Sequence, residues 1–121
     1  MDAISMMRVA VALLAIGAVG GMVMTFVRFA RKVNPPAWLS MVHGFLAAAA
    51  LTLVLFAAFT VGVPSSAKVA LGLLIVAALG GVVLNLGYQW KNRLLPATIV
   101  AGHALLAVAG FGFLVVAAFV D

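Results

Sequence analysis

The sequence predicts an all-α membrane protein: a bundle of four transmembrane helices, made of two tandem helical hairpins related by a pseudo-two-fold axis along the membrane normal. Three observations predict it. Of 121 residues, 68% are hydrophobic and only 7% charged, whereas a water-soluble domain carries roughly 25% charged residues, so polar surface is too scarce to cover a globule. Pro or polar clusters divide the chain into four apolar runs of about 22 to 25 residues, each long enough to cross a hydrocarbon core about 30 Å thick. The second half of the chain also matches the first at an offset of 60 residues without a gap. Residues 1–121 are therefore read as a single integral membrane domain, with repeat 1 at about 4–61 and repeat 2 at about 67–120.

The spans are read at Ile4 to Arg28, Ala37 to Val61, Ala67 to Tyr88 and Ala97 to Val120. They are read as helices because lipid offers an isolated span no other way to satisfy its backbone groups. Short connections, Phe29 to Pro36 with Asn34, Pro35 and Pro36, and Gly62 to Ser66 with Gly, Pro and two Ser, make consecutive helices antiparallel neighbours. Pro36 and Pro96 stand where a helix begins, the place at which a missing N–H costs least. A competing reading makes residues 1 to 24 a cleaved signal peptide, since Arg8 precedes an apolar stretch with small residues near its end. The match between the first and third helices argues for a retained span instead.

Basic residues set the orientation, because loops rich in Lys and Arg stay cytoplasmic. Arg28, Arg31 and Lys32 flank the first loop and Lys91 and Arg93 the third, against Arg8 and Lys68 on the opposite side. Both termini are expected on the non-cytoplasmic side, in a membrane of the bacterial inner type. The net charge of +5 is thus a topology signal. Split between loops, it suits anionic lipid headgroups and makes no nucleic-acid patch.

The offset of 60 places Gly20 and Gly21 on Gly80 and Gly81, Arg31 on Lys91, Pro36 and Ala37 on Pro96 and Ala97, His43 on His103, and Phe59 on Phe119. From Ala10 to Thr60 against Ala70 to Val120 there are 16 identities in 51 positions. Many are Ala, Leu or Val and carry little weight. The rare residues carry the argument: both histidines, both glycine pairs and both helix-opening prolines fall in register.

Several kinds of chemistry are excluded. The only acids, Asp2 and Asp121, lie at the two ends, so paired-carboxylate catalysis has no basis. The same absence argues against coupling through a membrane-buried carboxylate. Small multidrug transporters are similar in helix count but carry a Glu within the first helix, which this chain lacks. No Cys means no disulfide, thiolate site or thiol relay. Structural zinc wants four ligands, which two histidines supply only in a symmetric dimer.

His43 and His103 are the only histidines, each seven residues beyond its proline, about 10 Å into the helix at 1.5 Å per residue. At equal depth, they are placed to face each other across the bundle. Small residues continue both faces, Ala47 and Ala50 on one and Ala107 and Gly110 on the other. By the same rise, Gly20, Gly21, Gly80 and Gly81 fall at the depth of the imidazoles. Two opposed histidines, with small residues where a flat macrocycle approaches the backbone, are what bis-histidine ligation of haem b requires. In this reading Thr25 and Asn85 orient an imidazole or bond a propionate, while Arg28, Arg31, Lys32, Lys91 and Arg93 neutralise propionates. Competing readings make the histidines helix-to-helix hydrogen bonds, beside the ordinary close-packing pair Gly17 and Gly21, or a quinone or proton site. The Met residues are read as packing. Phe26, Phe45, Phe111 and Phe113 are read as core or lipid-facing, and Trp38, Trp90 and Tyr88 as an interfacial belt.

This layout of His43 and His103 on a duplicated hairpin resembles the small b-type cytochromes of membranes, four-helix bundles that hold haem between histidines on neighbouring helices. The resemblance implies iron bound by His43 and His103, with electron transport between quinol and a partner. Two-haem families such as cytochrome b561 carry at least four ligating histidines; with two, this chain holds at most one haem in that manner. It is also similar to small bacterial membrane proteins built from two hairpins with a His early in the second helix of each, a resemblance that implies no activity. Two other functions compete: a cofactor-free accessory or scaffold subunit of a larger membrane complex, and a small dimeric transporter. Lipid is the expected partner throughout, with a second copy of the chain as a further one.

Overall fold

The computed structural model describes residues 1–121 as four long helices: α1 (Ala3–Ala30), α2 (Ala37–Thr60), α3 (Ser65–Leu84) and α4 (Ala97–Phe119), with a π-helical segment, Asn85–Gln89, continuing α3. All four are long and apolar enough to cross a membrane. The expected spans are reproduced with shifts of a residue or two at most ends. The third differs in kind, since its last five residues wind as a π-helix where a continuous α-helix is expected.

Each helix end has a local cause. Asp2 caps α1, its Oδ1 accepting from the Ser5 amide at 2.7 Å. The hydrogen bonds from Ser5 hold the Asp2 carboxyl below its ordinary range. The ionised cap is therefore complete at neutral pH and is lost only as pH falls through that lowered value. Pro36, Pro64 and Pro96 each stand at the N-cap, one position before the helix, with carbonyls accepting the first helical amides, such as Ser40 N–H to Pro36. Prolines thus open three helices, one more than the two expected. The α2–α3 connection turns at Gly62, whose φ of +89° lies in the left-handed region that glycine enters without a Cβ penalty. Its amide closes the end of α2 on the Ala57 carbonyl.

Packing is closest within the hairpins, α1 against α2 and α3 against α4. α1 also touches α4 and α2 touches α3, so the helices run around the bundle in chain order and α2 lies diagonally across from α4. The end carrying Arg28, Arg31, Lys32, Lys91 and Arg93 is called the basic end below, and the other the terminal end. The buried core is concentrated toward the terminal end, where Met7, Ala10, Ala50, Val54, Ala70, Leu71 and Leu114 meet. Small residues there let backbones approach, which drives helix association where lipid removes the hydrophobic incentive. Gly110 is the tightest point: a Cβ built on it would lie 2.7 Å from Leu74 Cγ. Arg8 ties α1 to α4 at this end, its Nε donating to the Ala118 carbonyl at 3.1 Å beneath a cation–π contact with Phe119.

At the basic end the two hairpins are latched through their loops. Asn34 Nδ2 donates to the Arg93 carbonyl at 2.7 Å, and Asn34 Oδ1 accepts from the Leu95 amide at 3.0 Å. Gln89 Nε2 donates to the Pro35 carbonyl and Arg28 Nε to the Leu95 carbonyl, both at 2.7 Å. Asn34→Ala should therefore lower stability by about 1–2 kcal/mol, two hydrogen bonds at roughly 1 kcal/mol each or somewhat less at an exposed site. Thermal unfolding in detergent measures this, and Asn34→Asp, which retains the acceptor for Leu95, should lose about half as much.

Candidate functional site

Between a packed terminal end and a latched basic end, the hairpins stand apart. The space is a slot of about 930 Å³ lined by all four helices, within the range of about 300–1,000 Å³ typical of cofactor and ligand pockets. Its walls are mainly apolar. Its edges reach lipid along the seams between hairpins, where Met22 and Val108 on one side and Phe45 and Val82 on the other line the slot and are exposed.

His43 and His103 enter this slot from the diagonal helices α2 and α4. Their ring centroids are 6.1 Å apart and the planes are inclined at 69°. Each ring is tied down on the side of its own hairpin partner: His43 Nδ1 lies 2.8 Å from the Gly17 carbonyl on α1, and His103 Nδ1 lies 2.6 Å from the Ala77 carbonyl on α3. A carbonyl only accepts, so in both contacts Nδ1 carries the proton and Nε2 keeps its lone pair. That tautomer presents a metal ligand whose orientation is fixed by an outer hydrogen bond.

Glycine makes room for both rings. A Cβ on Gly21 would lie 3.2 Å from His43 Cε1, and one on Gly81 the same 3.2 Å from His103 Cε1. The expected glycine layer is thus only half a site layer. Gly21 and Gly81 line the slot, whereas Gly20 faces Leu39 and Gly80 faces the base of the His103 side chain, and neither lines the slot. Ala47 and Ala107 line it as expected. Ala50 and Gly110 are buried in the helix packing instead.

Of the polar candidates, Thr25, Asn85 and Arg28 line the slot and Arg31 does not. Thr25 does not orient an imidazole: its hydroxyl donates to the Gly21 carbonyl of its own helix at 2.8 Å. Backbone carbonyls do that work, and sequence reasoning missed them because Gly17 and Ala77 share no side chain that would mark the role. Phe45 and Phe111 border the slot, while Phe26 and Phe113 do not. Two buried acceptors in the π-helical segment, Asn85 Oδ1 and Gln89 Oε1, have no hydrogen-bond partner, at a cost of about 1–3 kcal/mol each if left unmet. No group of three or more His, Cys, Asp or Glu side chains assembles anywhere in the bundle.

No protein-family model matches this chain, and no curated protein or solved structure matches it. The fold and the slot define its class: a four-helix bundle of membrane-spanning dimensions, with two histidines opposed in an apolar cleft.

Proposed function

We propose that this chain is an integral-membrane cytochrome b that holds one haem b between His43 and His103 and passes electrons between quinol and a partner. The observation that carries the reading is the opposition of the imidazoles at 6.1 Å, each with Nδ1 on a carbonyl. His43 and His103 would hold the haem iron through Nε2, the ring nitrogen that the carbonyl contacts leave free. Three further features support that reading. Imidazole suits iron, the slot volume suits a cofactor, and Gly21 and Gly81 leave each ring free of a neighbouring Cβ.

The chain's own contributions follow from its contacts. The Gly17 and Ala77 carbonyls orient the rings and increase the basicity of Nε2. Arg28, held by Leu95 and resting over Phe29, is the cation that the slot offers to propionates; Arg31 lies outside it. Apolar walls lower the local dielectric and limit water. Haem bound there supplies one-electron chemistry whose potential the bundle tunes.

The same reading makes the two hairpins duplicates about a pseudo-two-fold axis. Recurrence at the offset of 60 supports it: Gly17 and Ala77 as acceptors, Gly21 and Gly81 beneath the rings, and Lys32 and Asn92 as the two non-glycine residues with positive φ. We place the protein in a bacterial inner membrane with the basic end cytoplasmic, on the strength of five basic residues at that end against two at the other. A C-terminal reporter should be active on the non-cytoplasmic side only; activity confined to the cytoplasm would overturn the orientation. Haem is tested by the absorption spectrum of protein purified from cells supplied with ample haem. Reduced low-spin b-type bands are expected, and a colourless protein would sink the proposal.

A further inference from the structure

We propose that the basic end of the slot binds the hydroxyl head of a membrane-soluble phenol or hydroquinone, through the side-chain carbonyls of Asn85 and Gln89. The two hairpins differ here. At the equivalent positions in the first, Thr25 satisfies itself on the Gly21 carbonyl and Phe29 is apolar. In the second, Asn85 and Gln89 both line the slot and each holds a buried oxygen without a partner.

The orientation of Gln89 is fixed by its neighbour. Its Nε2 donates to the Pro35 carbonyl, which can only accept and so faces the NH2 side of the amide, leaving Oε1 as an acceptor. Both residues belong to the π-helical segment Asn85–Gln89, a winding found mostly as single turns within α-helices and frequently at functional sites. Two acceptors in one cavity wall call for a donor.

The ligand class follows from what else lines that end. Arg28 is its charged group and spends Nε on Leu95, which leaves the remaining guanidinium N–H groups as donors. A phenolic hydroxyl both donates and accepts, so it satisfies the carbonyls and Arg28 together. A carboxylate or a quinone oxygen only accepts, and would leave the Gln89 carbonyl without a donor. The slot therefore selects a reduced hydroquinone over its quinone. Access along the lipid-facing seams, past Met22, Val82 and Val108, suits a ligand that partitions into the bilayer.

The inference stands on Asn85 and Gln89 and does not depend on what the histidines hold. The full chain in lipid nanodiscs is titrated by calorimetry with decylhydroquinone, decylquinone and decanoate. Decylhydroquinone should bind at least about tenfold more tightly than either of the others, a difference equivalent to about 1.4 kcal/mol. Asn85→Leu should weaken that binding about tenfold while raising the thermal midpoint of the ligand-free protein, because an unmet buried acceptor is removed. If Asn85→Leu fails to fold, Asn85→Thr, which copies the first hairpin, serves the same purpose. Equal affinity for quinone and hydroquinone, preference for decanoate, or unchanged affinity in the Asn85 variant would overturn the proposal. A preparation without haem bands that still binds hydroquinone would count against the histidine-centred reading and in favour of this one.

Discussion

His103→Ala is expected to convert a six-coordinate, low-spin haem spectrum into a five-coordinate, high-spin one and to weaken haem retention by more than about 100-fold. The magnitude follows from a comparison. Losing an outer hydrogen-bond partner of a metal ligand costs about 10–100-fold in affinity, and loss of the ligand itself should exceed that. His43→Ala should behave alike, since its ring has the same kind of carbonyl anchor and an equivalent glycine, Gly21, beneath it. With both replaced, the bands should be absent. Added imidazole supplies the discriminating readout. It should restore the low-spin spectrum of a single variant by occupying the space the side chain vacated, whereas a histidine serving only as a helix-to-helix hydrogen bond would give no such recovery.

The second large effect is on stability. Gly110→Ala should destabilise the bundle by about 1–3 kcal/mol, the usual cost of inserting a methyl group into a packed core. The added Cβ would lie 2.7 Å from Leu74 Cγ and 2.9 Å from Leu74 Cδ2. Neither atom can retreat readily, because Leu74 is 6% exposed and Cγ is the branch point of its side chain. Gly112 offers the control two residues away on α4, with nothing within 4 Å of a built Cβ. Gly112→Ala should be neutral, or stabilising by up to about 1 kcal/mol through helix propensity. Unfolding of both variants in the same detergent tests the pair, and equal midpoints would contradict the close approach of α3 and α4.

The four helices were legible because apolar runs bounded by proline and basic clusters leave few alternatives in lipid. The facing histidines were legible because equal spacing from Pro36 and Pro96 fixes equal depth. Three features were not. The π-helical segment ends where Gln89 meets the opposite loop at Pro35, a tertiary contact with no local signature. The imidazole acceptors are backbone groups of Gly17 and Ala77, and main-chain carbonyls look alike in every sequence. Gly20 and Gly80 share depth with the site, but depth alone does not say which way a helical residue faces, and they point into the hairpin packing instead.

The turn at Gly62 joins the hairpins at the terminal end, far from the slot, and lines none of it. Each hairpin brings one histidine, together with the carbonyl and the glycine that position it. The site is thus an assembly product of two half-sites, and the connection from Val61 to Pro64 acts as a tether that keeps their stoichiometry at one to one and their encounter intramolecular. Each histidine is anchored within its own hairpin, so the opposed geometry of the two rings belongs to the interface between two pieces. Having two different pieces in one chain is what permits one wall of the slot's basic end to carry Asn85 and Gln89 while the opposite wall carries Thr25.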